Sequence, residues 1–330
     1  MWHGTWIACP PASRPLFASL SPRKFKHATI EMSSLVEECS TKNWNKPLTA
    51  QGLSGSVFVA LGKFDGMHQG HRLLAQQAAS SGASPYLLSF SGMAEMLGWP
   101  ARLPLVAASD RSRVLASWTP YCCGSTPRQR YIPFAMVRNL SPEEFVQTLV
   151  EKLKVSGIVV GQNYRFGYKA AGDSKLLQAL GESHSIKVDI VNLVKAGRGG
   201  VEGQVSSSKI RHALNCGHME QVAESLGRPY RLVAEVALKD MCAVPNGLQD
   251  DGLRIPMKTL CNQPPKYGEY QVTISMADAP SKGSKVNCSQ HGTALVKDDG
   301  VHLCRELSAW ATHNIADKHR YLVLDFEDSH

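Results

Sequence analysis

The chain has 330 residues, 43% of them hydrophobic and 19% charged, with a formal net charge of +8. That length accommodates two domains, the composition excludes a disordered chain, and no run of about 18 apolar residues is present to span a bilayer. The positive balance favours anionic partners; with no Lys/Arg block and no basic–aromatic interleaving, phosphorylated small molecules suit it as well as nucleic acid does.

Residues 1–30 contain no Asp or Glu, carry Arg14, Arg23, Lys24 and Lys26, and are otherwise rich in Ser, Ala and Pro. Acid-free, hydroxyl-rich, basic composition without a continuous apolar stretch is that of an organelle transit peptide rather than a secretory signal. Residues 1–54 are therefore set apart as a transit or disordered segment. The nine cysteines are scattered without a C-x-x-C pair, so free thiols in a reducing compartment are expected.

From Ser56 the pattern changes. "SVFVALG" (56–62) is a β-branched apolar run closed by glycine, the pattern of a buried strand. "HRLLAQQAAS" (71–80) predicts a helix and "GASPYLLSF" (82–90) a turn and a second strand, which together make a βαβ unit and imply a parallel sheet. "SPEEFVQTLVEKL" (141–153) opens with Ser141 as cap, Pro142 at the first helical position and Glu144 completing a capping box. Strands are predicted over 155–164 and 185–194, and helices over 172–183, 206–217 and 218–227. Beyond residue 228 the texture becomes short alternating segments broken by Pro, Gly, Asp and Asn, which reads as a smaller all-β barrel or sandwich. The expected architecture is α/β, a Rossmann-like parallel-sheet domain over 55–227, followed by a barrel-like domain over 228–330.

Ligands of open parallel sheets gather beyond the carboxyl ends of the strands. Three polar clusters converge there: "GKFDGMHQGH" (62–71), "GQNYRFGYKAAGD" (161–173) and "SSSKIR" (206–211). In the first, Gly62 and Gly66 permit tight turns and Gly70 allows close approach to the backbone, while the following helix N-terminus offers free N–H groups to an anion. His68 and His71, three apart at that terminus, point to one side and add imidazole donors. Metal ligation would require a third protein ligand, and none lies nearby in sequence. In the third cluster Ser206, Ser207 and Ser208 open a helix, with Arg211 on the same face and suited to a bidentate phosphate contact.

"GKFDGMHQGH" and "SSSKIR" resemble the two signature motifs of the H-x-G-H nucleotidyltransferase superfamily. "GQNYRFGYKAAGD" resembles a segment peculiar to FAD synthetases, the FMN adenylyltransferase module of the riboflavin kinase/FAD synthetase family. "LGRPYRL" (226–232) is similar to the junction into that family's kinase barrel, and the whole is most similar to the plastid members from plants. The resemblance implies transfer of AMP from ATP to FMN with Mg²⁺, small-molecule partners rather than nucleic acid or membrane, and a chloroplast location. It implies catalytic roles for His68, His71, Ser207 and Arg211, and ATP binding by Gly62, Lys63, Phe64, Asp65, Gly70, Ser206 and Ser208. It places Asn163, Arg165 and Asp173 along the FMN or nucleotide pocket, and it assigns no metal ligand to the protein.

Two departures matter. Ser208 stands where the family motif usually has Thr, which keeps the hydroxyl. The kinase module's P-T-A-N run is absent, although "PPKYGEYQV" (264–272) still resembles one of its barrel strands, so a kinase-derived barrel without a kinase site is expected. The alternatives are another H-x-G-H adenylyl- or cytidylyltransferase, a bifunctional riboflavin kinase/FAD synthetase, or a non-catalytic flavin- or nucleotide-binding regulator.

Overall fold

Strand β2 follows β1 (Val36–Glu38) and runs Val57–Leu61. Its residues are buried on both faces: Val57, Val59 and Leu61 pack against Phe145, Leu149 and Leu177, whereas Phe58 and Ala60 meet Leu74, Ala75 and Ala78. Continuous burial of this kind explains why a run without alternation forms the central strand, each large side chain contributing about 1.5–3 kcal/mol. The computed structural model describes residues 35–39, 41–49, 55–80, 82–192, 204–236, 242–243, 252–277, 289–314 and 320–327; of the transit or disordered segment expected over 1–54, residues 1–34, 40 and 50–54 lie outside them.

The chain continues through α1 (Gln69–Ala79), β3 (Ser84–Ser91), α2 (Met93–Leu97), α3 (Arg111–Ser117) and β4 (Arg128–Pro133). There follow α4 (Pro142–Gln147), β5 (Gly157–Gly161), a short hairpin of β6 (Arg165–Phe166) with β7 (Gly172–Asp173), α5 (Ser174–Ser183) and β8 (Lys187–Val191). The first sheet has the order β1-β4-β3-β2-β5-β8, with every neighbouring pair parallel. The chain adds β3 and β4 on one side of β2 and then returns to add β5 on the other. The topological switch therefore lies between β2 and β5, where this class of sheet binds its ligands.

The first strand corrects the reading of 1–54 as wholly outside the fold. Val36–Glu38 pairs in register with Gln129–Tyr131, and Trp44 and Leu48 enter the core behind β2. The reason is long-range: Glu37 bridges Arg128 and Arg130 on the neighbouring strand, each at 2.6 Å. Capping of α4 is as expected, with Ser141 Oγ accepting from the Glu144 N–H at 3.1 Å and Glu144 accepting from the Ser141 N–H at 2.8 Å.

After α6 (Ser207–Cys216) and α7 (Met219–Leu226) come β9 (Arg231–Val236), β10 (Cys242–Ala243), β11 (Leu253–Pro256), β12 (Gly268–Ala277), β13 (Ser289–Val296), β14 (Gly300–Leu303), α8 (Arg305–Asn314) and β15 (Arg320–Phe326). The strands form a seven-stranded antiparallel, barrel-like sheet ordered β10-β11-β14-β13-β12-β15-β9. Ile210, Leu214, Val222 and Leu226 of α6 and α7 share one core with this sheet's Leu232, Val272 and Leu324. By packing, the change of core thus falls before α6, ahead of the expected boundary at 227/228, and the helix that carries Arg211 is mounted on the barrel. Both sheets lie within one compact unit spanning Glu31–His330.

Candidate active site

The loop from Gly62 to His68 leaves β2 at the switch point. Phe64 and Met67 are fully buried and adopt positive φ, 49° and 44°, which non-glycine residues rarely do. Two arginines, Arg111 buried and Arg228 half-buried, hold the carbonyls of these strained residues. Arg111 donates from Nη2 to Phe64 O at 2.7 Å and from Nε to Gln129 Oε1 at 2.7 Å. Arg228, from the "LGRPYRL" junction, donates to Met67 O at 2.7 Å and to Gly66 O at 3.2 Å. Burial lowers the Arg228 pKa to about 10, so it is still cationic at neutral pH. Two charged guanidinium groups thus sit under the loop and make the site electropositive. Neither arginine stood out in the sequence, where an isolated Arg gives no sign of being buried.

His68 is the N-cap of α1 and His71 lies in its first turn, so the helix begins slightly earlier than expected. The imidazole rings stack with centroids 3.6 Å apart, and Phe64 meets His71 edge-on at 4.9 Å. Burial, then Arg228, lowers the His68 pKa to about 4; burial, His68, Arg111 and Arg228 hold His71 well below its usual value. Both rings are therefore neutral at physiological pH. Their buried Nδ1 atoms find no hydrogen-bond partner, and neither does the buried Nε of Arg211. Orphaned buried polar atoms are rare in folded proteins, and three of those among the described residues gather at this site.

The second motif arrives as expected at the start of α6. Ser206 caps the helix by accepting from the Lys209 N–H at 3.3 Å, Ser207 Oγ accepts from the Gly66 N–H at 3.3 Å, and Ser208 is exposed. A Cβ added at Gly66 would lie 3.3 Å from Ser207 Oγ and 3.6 Å from the His68 ring, so the two motifs meet there. Arg211 does not point freely outward: it donates to Asp65 Oδ2 at 2.7 Å, to Leu103 O at 2.9 Å and to Gln263 Oε1 of the barrel. Asp65, expected among the ATP-binding residues, accepts from Arg211 and from the Leu105 N–H at 3.0 Å. Phe64, expected with it, has its side chain fully buried. Gly70 is the second residue of α1. Gln263 was not among the expected residues, because only the tertiary fold brings it to Arg211.

Beside the loop a cavity of about 670 Å³ opens, lined by Gly62, Lys63, Phe90, Trp99, Tyr164 and Phe166 among others, with Asn163 and Arg165 on its wall. Its size and aromatic lining suit a planar ligand of cofactor dimensions. Lys63 sits 4.2 Å over the Trp99 ring, on the cavity side. Asp173 is not part of this lining. It caps α5, accepting from the Leu176 N–H at 2.9 Å, and borders a smaller adjacent pocket that Asn163 and Arg165 share.

The family model described as FAD synthetase matches residues 51–209, both signature motifs included up to Lys209. FAD synthetase 2, chloroplastic, of Arabidopsis thaliana is 40% identical over 282 residues, covering 82% of this chain and 73% of its own. FAD synthetase 1, chloroplastic, of the same plant is 42% identical over 249 residues, covering 71% and 69%. The chain belongs to the FAD synthetase family. As an FAD synthetase it is an FMN adenylyltransferase. A solved chain described as a macrolide-efflux protein from Streptococcus pneumoniae superposes with a TM-score of 0.64 at 19% identity, covering 90% of this chain and 91% of its own, which shows a shared fold alone. Among the described residues no helix is long and apolar enough to cross a membrane, and Cys39, Cys122, Cys123, Cys216, Cys261 and Cys304 are free thiols.

Proposed function

We propose that this FAD synthetase transfers AMP from ATP to the phosphate of FMN in the chloroplast, releasing pyrophosphate, and that it does not phosphorylate riboflavin. A phosphate oxygen of FMN bonds to the α-phosphorus while the bond from that phosphorus to the bridging oxygen of the β-phosphate breaks. The nucleophile is already ionised, so the protein contributes alignment and charge stabilisation. The stacked His68 and His71 rings donate to α- and β-phosphate oxygens; Ser207 and Arg211 hold the departing β- and γ-phosphates over the field of Arg111 and Arg228. FMN lies in the aromatic cavity, with Asn163 and Arg165 at its polar edge and Asp173 setting the hairpin that carries them. Mg²⁺ would enter with ATP and would supply charge neutralisation on its phosphates, beside the contacts of Ser207 and Arg211.

The observation that carries this reading is the convergence of three orphaned buried polar atoms, on His68, His71 and Arg211, at the sheet's switch point. For the loss of kinase activity the support is the missing P-T-A-N run; residues 244–251, within the stretch where it would stand, lie outside the described residues. The test is to incubate the full chain with Mg-ATP labelled at the α- or γ-phosphorus and either FMN or riboflavin. The α label is expected in FAD and the γ label in pyrophosphate, with no labelled flavin from riboflavin. A γ-labelled FMN would overturn the second half, and absence of α-labelled FAD the first.

A further inference from the structure

Gln263 belongs to the barrel-like sheet's connections, yet its side chain reaches Arg211 of α6. We propose that Gln263 is a positioning residue for adenylyl transfer, so that the barrel completes the transferase site. This rests on the proposed role of Arg211 in holding the outer phosphates.

Three acceptors fix the guanidinium: Asp65 from the loop after β2, Leu103 O from the segment before α3, and Gln263 Oε1 from the barrel. The Nε atom is left buried and without a partner, the one guanidinium nitrogen these acceptors do not engage. Gln263 is itself rigidly mounted. Its Nε2 donates to Asn215 Oδ1 at 2.9 Å, which leaves Oε1 to face Arg211. Its backbone N–H donates to Pro104 O at 2.9 Å and its carbonyl accepts from the Tyr230 hydroxyl. The neighbouring Asn262, fully buried, donates to Leu105 O at 3.2 Å and accepts from the Val233 N–H at 2.9 Å. Leu105 in turn holds Asp65 at 3.0 Å, so both side chains that grip Arg211 stand on one frame. Arg211 and Gln263 open onto a cleft of about 630 Å³ that also carries Arg102 and Lys266, further cations for an anionic tail. A neutral amide suits the position: it orients Arg211 without adding a second carboxylate to Asp65, and so leaves positive charge for phosphate.

The test uses the full chain with FMN and Mg-ATP varied independently, for Gln263→Ala, the near-isosteric Gln263→Met, Arg211→Ala and the double variants. Gln263→Ala is expected to lower kcat/KM for ATP by about tenfold, the scale of one hydrogen bond to a charged group, with KM for FMN unchanged. In the Arg211→Ala background the same substitution is expected to have no further effect, since coupled residues are non-additive. Unchanged ATP kinetics in Gln263→Ala, alongside an impaired Arg211→Ala, would overturn the proposal alone. An equal loss in both backgrounds would overturn it too, by showing that Gln263 acts only through the fold. A fully active Arg211→Ala would instead sink the phosphate-holding reading on which it rests. Should Gln263→Ala fail to fold, Gln263→Met carries the same comparisons.

Discussion

At the scale of residues, the fold keeps the two histidines neutral. Rings 3.6 Å apart cannot both be imidazolium, and burial beside Arg228 sets His68 near a pKa of about 4. In the unfolded chain the same histidine titrates near 6.5, so as pH falls the unfolded state takes up the proton first. The contribution is fully present above about 6.5 and is lost as pH falls toward about 4. The thermal midpoint of the ligand-free enzyme is accordingly expected to fall across that window, and His68→Gln to flatten the fall. An identical pH profile for the variant would contradict a neutral, buried His68. A bound polyphosphate acts in the opposite direction, favouring protonation as negative charge builds on the leaving group.

At the scale of elements, the turn between β2 and α1 stores strain and is held from beneath. Left-handed backbone at a non-glycine residue costs about 1–2 kcal/mol, and Phe64 and Met67 both adopt it. Their carbonyls are the ones Arg111 and Arg228 bind. Replacing Arg228 by Gln leaves buried carbonyls short of donors, so unfolding in urea is expected to show a loss of about 1–3 kcal/mol; a loss below about 0.5 kcal/mol would mean that the loop holds itself. The βαβ unit, the capping box on α4 and the meeting of "GKFDGMHQGH" with "SSSKIR" were all legible in the sequence, because each rests on local pattern or on the geometry of a parallel sheet. The supports were not. Strand β1 reads "VEE", three residues with two acids, and becomes a strand only because Arg128 and Arg130 stand opposite Glu37. Helix α8 and strand β4 carry no period strong enough to mark them, and long-range packing decides both. Asp65 belongs to the expected loop, and only the tertiary fold shows that it accepts from Arg211 there.

At the scale of the molecule, the two sheets divide the work without dividing the site. The parallel sheet places the histidine loop and the aromatic cavity at its switch point, while α6 and α7 share their core with the barrel and carry Ser207, Arg211 and the junction to Arg228. The barrel has a physical role in that arrangement: it mounts the helix that carries Ser207 and Arg211. The central claim, that the orphaned donors stabilise the transition state of AMP transfer, is tested most directly by single-turnover formation of FAD from bound FMN and Mg-ATP in His71→Ala. The rate is expected to fall by about two to three powers of ten, the scale of a lost transition-state donor, with the Kd for ATP nearly unchanged; a rate close to that of the unmodified enzyme would contradict it.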